Sequence, residues 1–123
     1  MKVLIVDDSP TMLRIIEDTV KEMESNSSIK LAEDAIKALG ILKKEKKFDL
    51  ILTDWNMPNL TGLAFLQKIK RMEEHLNTPV VMITSVGSKQ EVLAALKSGA
   101  KGYVIKPFSK DVLKKKLLAS LES

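Results

Sequence analysis

The stretch DLILTDWNMPN, Asp49 to Asn59, decides how the rest of the chain is read. Leu50, Ile51 and Leu52 are apolar on consecutive positions, which suits a strand covered on both faces. The run ends in a carboxylate, Asp54, beside the chain's single tryptophan, Trp55, and Pro58 stops the segment. A second run, Val3-Leu4-Ile5-Val6, also ends in acid, at Asp7-Asp8. A carboxylate at the end of a buried strand is costly when alone, so the question is whether the two acidic ends meet.

Working outward, five short apolar runs alternate with five longer amphipathic ones. Lys2–Val6, Ile29–Ala32, Leu50–Thr53, Val80–Thr84 and Tyr103–Ile105 have strand length. Between and after them, apolar residues recur at helical spacing. The sets are Met12, Ile16, Val20 and Met23; Ala35, Leu39 and Leu42; Phe65, Ile69 and Met72; Val92 and Leu96; and Leu113, Leu117 and Leu121, in a last helix expected to run to Ser123. Ser9-Pro10 reads as an N-cap followed by the first helical residue. Ser88 to Glu91 has the spacing of a capping box, and Gly99 stands where the fourth helix should stop. Five βα units in a row call for an open parallel sheet with helices on both faces. The common orders place strand one beside strand three, and ligands bind outside the carboxyl ends where the order reverses.

At 123 residues the chain fits one domain with one core. Hydrophobic residues at 45% and charged residues at 29% give the balance of a globular domain rather than a disordered or membrane chain. With no cysteine, disulfides and thiolate metal sites are excluded. No apolar run approaches the roughly 18 residues needed to span a bilayer, and the N-terminal run is too short for a signal peptide. A cytoplasmic protein is expected. The net charge of +4 permits nucleic acid or an acidic partner. There is no nucleic-acid recognition motif, and only Phe48, Trp55, Phe65, Tyr103 and Phe108 are available to stack on bases.

The residues at the strand ends carry the chemistry. Strand one ends in Asp7-Asp8, strand three in Asp54, strand four in Thr84-Ser85 and strand five in Lys106-Pro107. Strand two, at an edge, ends in Ala32-Glu33-Asp34. With strands one and three adjacent, three carboxylates crowd one crevice, with a hydroxyl and an ammonium opposite. Two unit charges about 4 Å apart repel by about 4 kcal/mol at an effective dielectric of 20. Either a pKa rises or a cation binds. An open mouth with few protein carboxylates suits Mg²⁺, which keeps several waters, better than Ca²⁺. Such an ion with a lysine and a hydroxyl makes a phosphoryl-binding set, in which an aspartate can act as nucleophile.

VDDS, TDWNMPNLTG, VVMITS and GYVIKPF, four separated motifs in order and each at a strand end, together resemble the response-regulator receiver family. The likeness covers the whole chain and is strongest to stand-alone chemotaxis regulators. It implies a flavodoxin-like doubly wound α/β fold, with five parallel strands in the order 2-1-3-4-5 and five helices. Residues 1–123 are then a single receiver domain with no output domain. The resemblance makes Asp54 the phosphoacceptor. Asp7, Asp8, Asp54 and the backbone carbonyl of Asn56 become Mg²⁺ ligands, and Lys106 the phosphoryl contact, with a cis Lys106-Pro107 bond. Thr84 and Tyr103 become switch residues: Thr84 moves onto the phosphoryl oxygen and Tyr103 turns inward into the vacated space. The implied partners are a sensor histidine kinase and the flagellar motor switch protein. The latter docks on helix four, strand five and helix five near Lys89, Lys97, Lys101 and Lys110. A helper phosphatase is a further partner, and the chain is expected to act as a monomer without membrane or nucleic acid. A phosphorelay role, passing the group to a histidine phosphotransfer protein, is the alternative. The chain departs from the family at Thr61, where Asp is common, and at Val86, where chemotaxis relatives carry an acid. The positions of Val86 and Asn56 help set the rate of phosphoryl hydrolysis in the family.

Other classes fit less well. A phosphatase with an aspartyl nucleophile needs a second acid two residues on, and Asn56 stands there; no enzyme acting on a separate substrate is expected. A flavin module needs a hydroxyl-rich phosphate loop after strand one, where Asp7-Asp8 would repel phosphate. Lys43 to Lys47 reads as the solvated end of helix two. Lys114-Lys115-Lys116 lies on the last helix. His75, alone in a polar stretch, is expected at the surface.

Overall fold

The computed structural model describes residues 1–122. Strands β1 (Lys2–Val6), β2 (Ser28–Ala32), β3 (Leu50–Thr53), β4 (Val80–Thr84) and β5 (Gly102–Ile105) form one parallel sheet in the order 2-1-3-4-5. Helices α1 (Pro10–Met23), α2 (Ala35–Lys44), α3 (Gly62–Ile69), α4 (Lys89–Lys97) and α5 (Lys110–Glu122) come after the strands in turn, and a 3-10 turn, Glu73–His75, precedes β4. The expected continuation of the last helix to Ser123 lies outside the described residues.

Consecutive strand residues go to opposite faces, and both faces are covered. Val3, Ile5, Leu50, Leu52, Val81 and Ile83 pack with Leu13, Ile16 and Val20 of α1 and Leu113 and Leu117 of α5. Leu4, Val6, Ile51, Val80 and Met82 pack with Ala38 and Leu42 of α2, Phe65, Leu66 and Ile69 of α3, and Ala95 of α4. Each such Val, Leu, Ile, Phe or Met side chain, fully withdrawn from water, contributes about 1.5–3 kcal/mol before entropy is charged against it. This explains why the strand runs lack polar alternation. β2, paired only with β1, is the exception and leaves Lys30 and Leu31 exposed.

Local signals fix the helix ends. Side-chain oxygens of Ser9, Asp34, Thr61 and Ser88 accept from the backbone N–H groups of Met12, Lys37, Ala64 and Glu91. At Ser88 the Glu91 carboxylate accepts from the serine hydroxyl at 2.5 Å, so it completes the box through the side chain. Gly99 takes φ +109°, and its N–H and that of Ala100 close the end of α4 on Leu96 and Ala95 carbonyls.

Two expectations are corrected. His75 is fully buried, not exposed. Its Nε2 lies 2.9 Å from the Leu42 carbonyl, and its ring centroid is 6.2 Å from that of Phe48. Leu42 sits in the last turn of α2, where carbonyls lack intrahelical partners, so Nε2–H donates there. Leu96 is 44% exposed, and Ala95 is the residue of α4 that enters the core.

Candidate functional site

Parallel register brings the acids together. Val6 pairs with Ala32 on one side and with Thr53 on the other. The next residues along are therefore level: Asp7 N–H donates to Ala32 O at 3.1 Å and Asp54 N–H to Val6 O at 3.0 Å. One oxygen each from Asp7, Asp8 and Asp54 lie within 4.8 Å of one another. Asp7 and Asp54 are buried and Asp8 is exposed at the mouth. Glu33 and Asp34, at the end of the edge strand, stay out: Asp34 caps α2 and Glu33 pairs with Lys37 at 3.4 Å.

Lys106 reaches this crevice from the end of β5. Its Nζ donates to Asp7 Oδ2 at 2.8 Å and to Asp54 Oδ2 at 3.1 Å. The Lys106-Pro107 bond is cis, as expected, and Lys106 N–H is tied to the Thr84 carbonyl at 2.9 Å. The other oxygens of the acids are held by backbone. Asp7 Oδ1 accepts from Ser9 N–H at 2.9 Å. Asp54 Oδ1 accepts from Trp55 N–H at 2.6 Å and from Asn56 N–H at 3.4 Å. Burial raises the Asp7 pKa above its ordinary value, against the lowering effects of Lys106 and Ser9 and with the help of the Asp54 charge. For Lys106, burial acts against the charged form, but the contacts with Asp7 and Asp54 outweigh it and raise the pKa.

Three carboxylates facing one ammonium leave an excess of two negative charges. Hard oxygen donors in that excess, open on the Asp8 side, fit a divalent, oxygen-binding cation that keeps part of its water.

Thr84 is buried, and its Oγ1 accepts from Val86 N–H at 3.2 Å. Tyr103 is 8% exposed, and its hydroxyl donates to the Val86 carbonyl. Burial, then the charges of Glu91 and Asp54, push the phenol up to about 12. In this structure the Tyr103 ring is inward while the Thr84 hydroxyl is bound to Val86. The Val86 carbonyl gives the buried phenol the acceptor it needs. Trp55 is half-buried and packs against the core cluster on the α2, α3 and α4 face, and Asn56 is exposed.

One positioning residue is visible in the sequence only as part of a motif. Gly62 N–H donates to Trp55 O at 2.7 Å, and a Cβ at Gly62 would stand 2.0 Å from the Asp54 carbonyl oxygen. The start of α3 therefore rests directly on the backbone that carries Asp54.

The family model for the response regulator receiver domain matches residues 3–118. The chain belongs to the response-regulator receiver family. Among curated receivers it is 40% identical to a chemotaxis protein CheY homolog of Campylobacter jejuni over 117 residues, covering 95% of this chain and 89% of that one. It is 41% identical to chemotaxis protein CheY-3 of Vibrio cholerae, covering 95% and 88%. Among solved receivers, the Vibrio cholerae chemotaxis protein CheY4 superposes with a TM-score of 0.88 at 32% identity and 98% coverage of both chains. The chain is thus a CheY-like receiver, with the sheet order and helix count that the resemblance implied. Among the described residues, no helix is long and apolar enough to cross a membrane.

Proposed function

We propose that this receiver is a stand-alone, cytoplasmic, monomeric phosphorylation switch of the chemotaxis type. Asp54 accepts a phosphoryl group from a sensor histidine kinase, and the phosphorylated form binds the flagellar motor switch protein. The observation that carries this is the Lys106 ammonium shared between Asp7 and Asp54 at 2.8 and 3.1 Å. An ammonium so placed is within reach of the oxygens of a phosphoryl group carried by Asp54.

Asp7, Asp8, Asp54 and the Asn56 backbone carbonyl would hold Mg²⁺, which supplies charge neutralisation at the phosphoryl oxygens. In transfer, an Asp54 carboxylate oxygen forms the new bond to phosphorus. The bond from phosphorus to the donor's histidine nitrogen breaks, and its electron pair stays with that nitrogen. Lys106 holds one phosphoryl oxygen as a point charge. The Thr84 hydroxyl leaves the Val86 N–H and donates to another oxygen. Val86 bonds to both Thr84 and Tyr103, so that exchange biases the segment between β4 and α4. The chain catalyses only its own phosphorylation and dephosphorylation. A helper phosphatase would act on the same open mouth.

The output surface is α4, β5 and α5. Leu93, Leu96, Ile105, Val112 and Leu118 are exposed on these elements, and Lys89, Lys97 and Lys101 are exposed on or next to α4 and β5. Apolar and basic groups together suit an acidic, amphipathic segment of the motor switch protein. The test is the affinity for that protein with and without phosphorylation by acetyl phosphate. A rise of about tenfold or more, the usual scale of coupling between two sites, is expected. Equal affinity in both states, with transfer onward to a histidine phosphotransfer protein, would replace the motor role by a phosphorelay.

A further inference from the structure

At the opposite edge of the sheet from β5, β2 is a free edge whose outer backbone groups pair with no other strand among the described residues. Between it and α2 lies an open groove of about 360 Å³, lined by Leu31, Lys37, Gly40, Ile41, Lys44 and Glu45. Its lining is mainly apolar, and Leu31 is 42% exposed although it is a strand residue. Ile36, one turn before Gly40 on α2, is 55% exposed.

Gly40 is hard to explain from inside the molecule. It stands in the middle of α2, where glycine costs about 1 kcal/mol relative to alanine. A Cβ there would meet no atom within 4 Å, and the residue is not in the left-handed region. Neither a turn nor packing requires glycine. A missing side chain does provide for close approach of another backbone from outside.

The charges around the groove set the sign of its partner. Lys30, Lys43, Lys44 and Lys47 make no ion pair among the described residues. The groove's own acid, Glu45, is engaged by Lys2 at 2.5 Å. Of the two lysines that line the groove, Lys37 is held by Glu33 at 3.4 Å and Lys44 is unpaired among the described residues, so with Lys30, Lys43 and Lys47 on the neighbouring β2 and α2 segments the surroundings stay net basic.

We propose that the β2–α2 groove is a second docking surface, for an extended acidic segment of a partner protein. The segment adds to the free edge of β2 through main-chain hydrogen bonds. It lays an apolar side chain over Ile41, runs along the backbone at Leu31, passes close over Gly40, and sets its carboxylates against the lysines. The surface is independent of the phosphorylation site, so its success or failure leaves the reading of Asp54 untouched.

The test is a nuclear magnetic resonance titration of the full chain with a short synthetic peptide alternating glutamate with valine or leucine. The same peptide with lysine for glutamate is the control. Saturable shifts confined to residues 28–32 and 36–47 are expected, weakening as salt rises, with no response to the basic peptide. Gly40→Ala should raise the melting temperature, because alanine is the better helix former, and should weaken the peptide about tenfold. Lys43→Glu/Lys44→Glu should weaken it further. No binding up to about 1 mM, the level of a weak encounter, would overturn the proposal and leave the lysines as guards of an exposed edge. So would shifts centred elsewhere, equal binding of the basic peptide, or unchanged affinity in Gly40→Ala.

Discussion

Lys106→Met isolates the electrostatics of the site, because it keeps the stem and removes only the charge. In the wild type the ammonium sits between Asp7 and Asp54, on side chains 2% and 10% exposed. Without it, two carboxylates with oxygens within 4.8 Å face each other. Their repulsion, about 3 kcal/mol at an effective dielectric of 20, is offset by the ammonium in the wild type and goes uncompensated in the variant, and removing one partner of a buried pair costs about 3 kcal/mol at the lower end. In a domain of this size that lowers the melting temperature by roughly 10 °C at neutral pH. Two conditions should return most of the loss. A divalent cation replaces the missing positive charge, and at about 100 times its Kd it returns close to 3 kcal/mol. Mg²⁺ should therefore stabilise the variant more than the wild type. Acid should also help. Burial already holds Asp7 above its ordinary value, and removing Lys106 takes away a lowering contact. A carboxyl whose folded pKa is raised binds its proton more tightly when folded. Its contribution is complete below the unfolded value and is lost as pH rises through the folded one. The deficit of the variant should thus be full near neutrality and shrink as pH falls through the raised Asp7 value. The assay is thermal melting monitored by circular dichroism, with EDTA or MgCl₂, from neutral pH down to the carboxylate range. A deficit equal in all of these conditions would show that Lys106 acts by packing and would refute the charge argument.

Tyr103 is the chain's single tyrosine, so its tyrosinate absorbance reports one group. The midpoint should fall near 12, raised by burial and by Glu91 and Asp54, and stability should drop between the ordinary value of 10 and that midpoint. A midpoint near 10 while the dichroism is still native would contradict the buried, Val86-bonded phenol. Gly62→Ala forces a Cβ to within 2.0 Å of the Asp54 carbonyl. Overpacking of this kind costs about 1–3 kcal/mol, so the variant should melt lower and phosphorylate more slowly from acetyl phosphate. Wild-type behaviour in both assays would mean that α3 does not fix the Asp54 backbone.

The parts of the fold that are legible in the sequence are those with local causes. Consecutive apolar residues such as Leu50-Ile51-Leu52 mark buried parallel strands, because both faces of each strand are covered. Ser9-Pro10 and Ser98-Gly99 mark helix ends, because capping involves only neighbours in sequence. The site is legible because parallel strands end on one side of the sheet, so the residues just beyond the strand ends line the crevice. The failures depend on distant partners. The burial of His75 depends on a free carbonyl at Leu42, over thirty residues away, and nothing in its own polar neighbourhood signals that. The helical spacing of Val92 and Leu96 involves only two residues, and Ala95, which takes the inward place, is too small to compete as a signal. The acceptor of the Tyr103 hydroxyl, the Val86 carbonyl, is likewise a backbone group that no residue type reveals. Asp34, which ends a strand like the other acids, is separable from them only once β2 is known to be the edge.

The central claim is that Asp54 is the phosphoacceptor, served by Asp7, Asp8 and Lys106. Intact-mass spectrometry after incubation with acetyl phosphate and Mg²⁺, beside Asp54→Asn, tests it most directly. One added phosphoryl group in the wild type, lost in the variant and lost when EDTA replaces Mg²⁺, is the result expected. An adduct that persists in Asp54→Asn, or a wild type that takes no phosphoryl group when rapid turnover is ruled out, would contradict it.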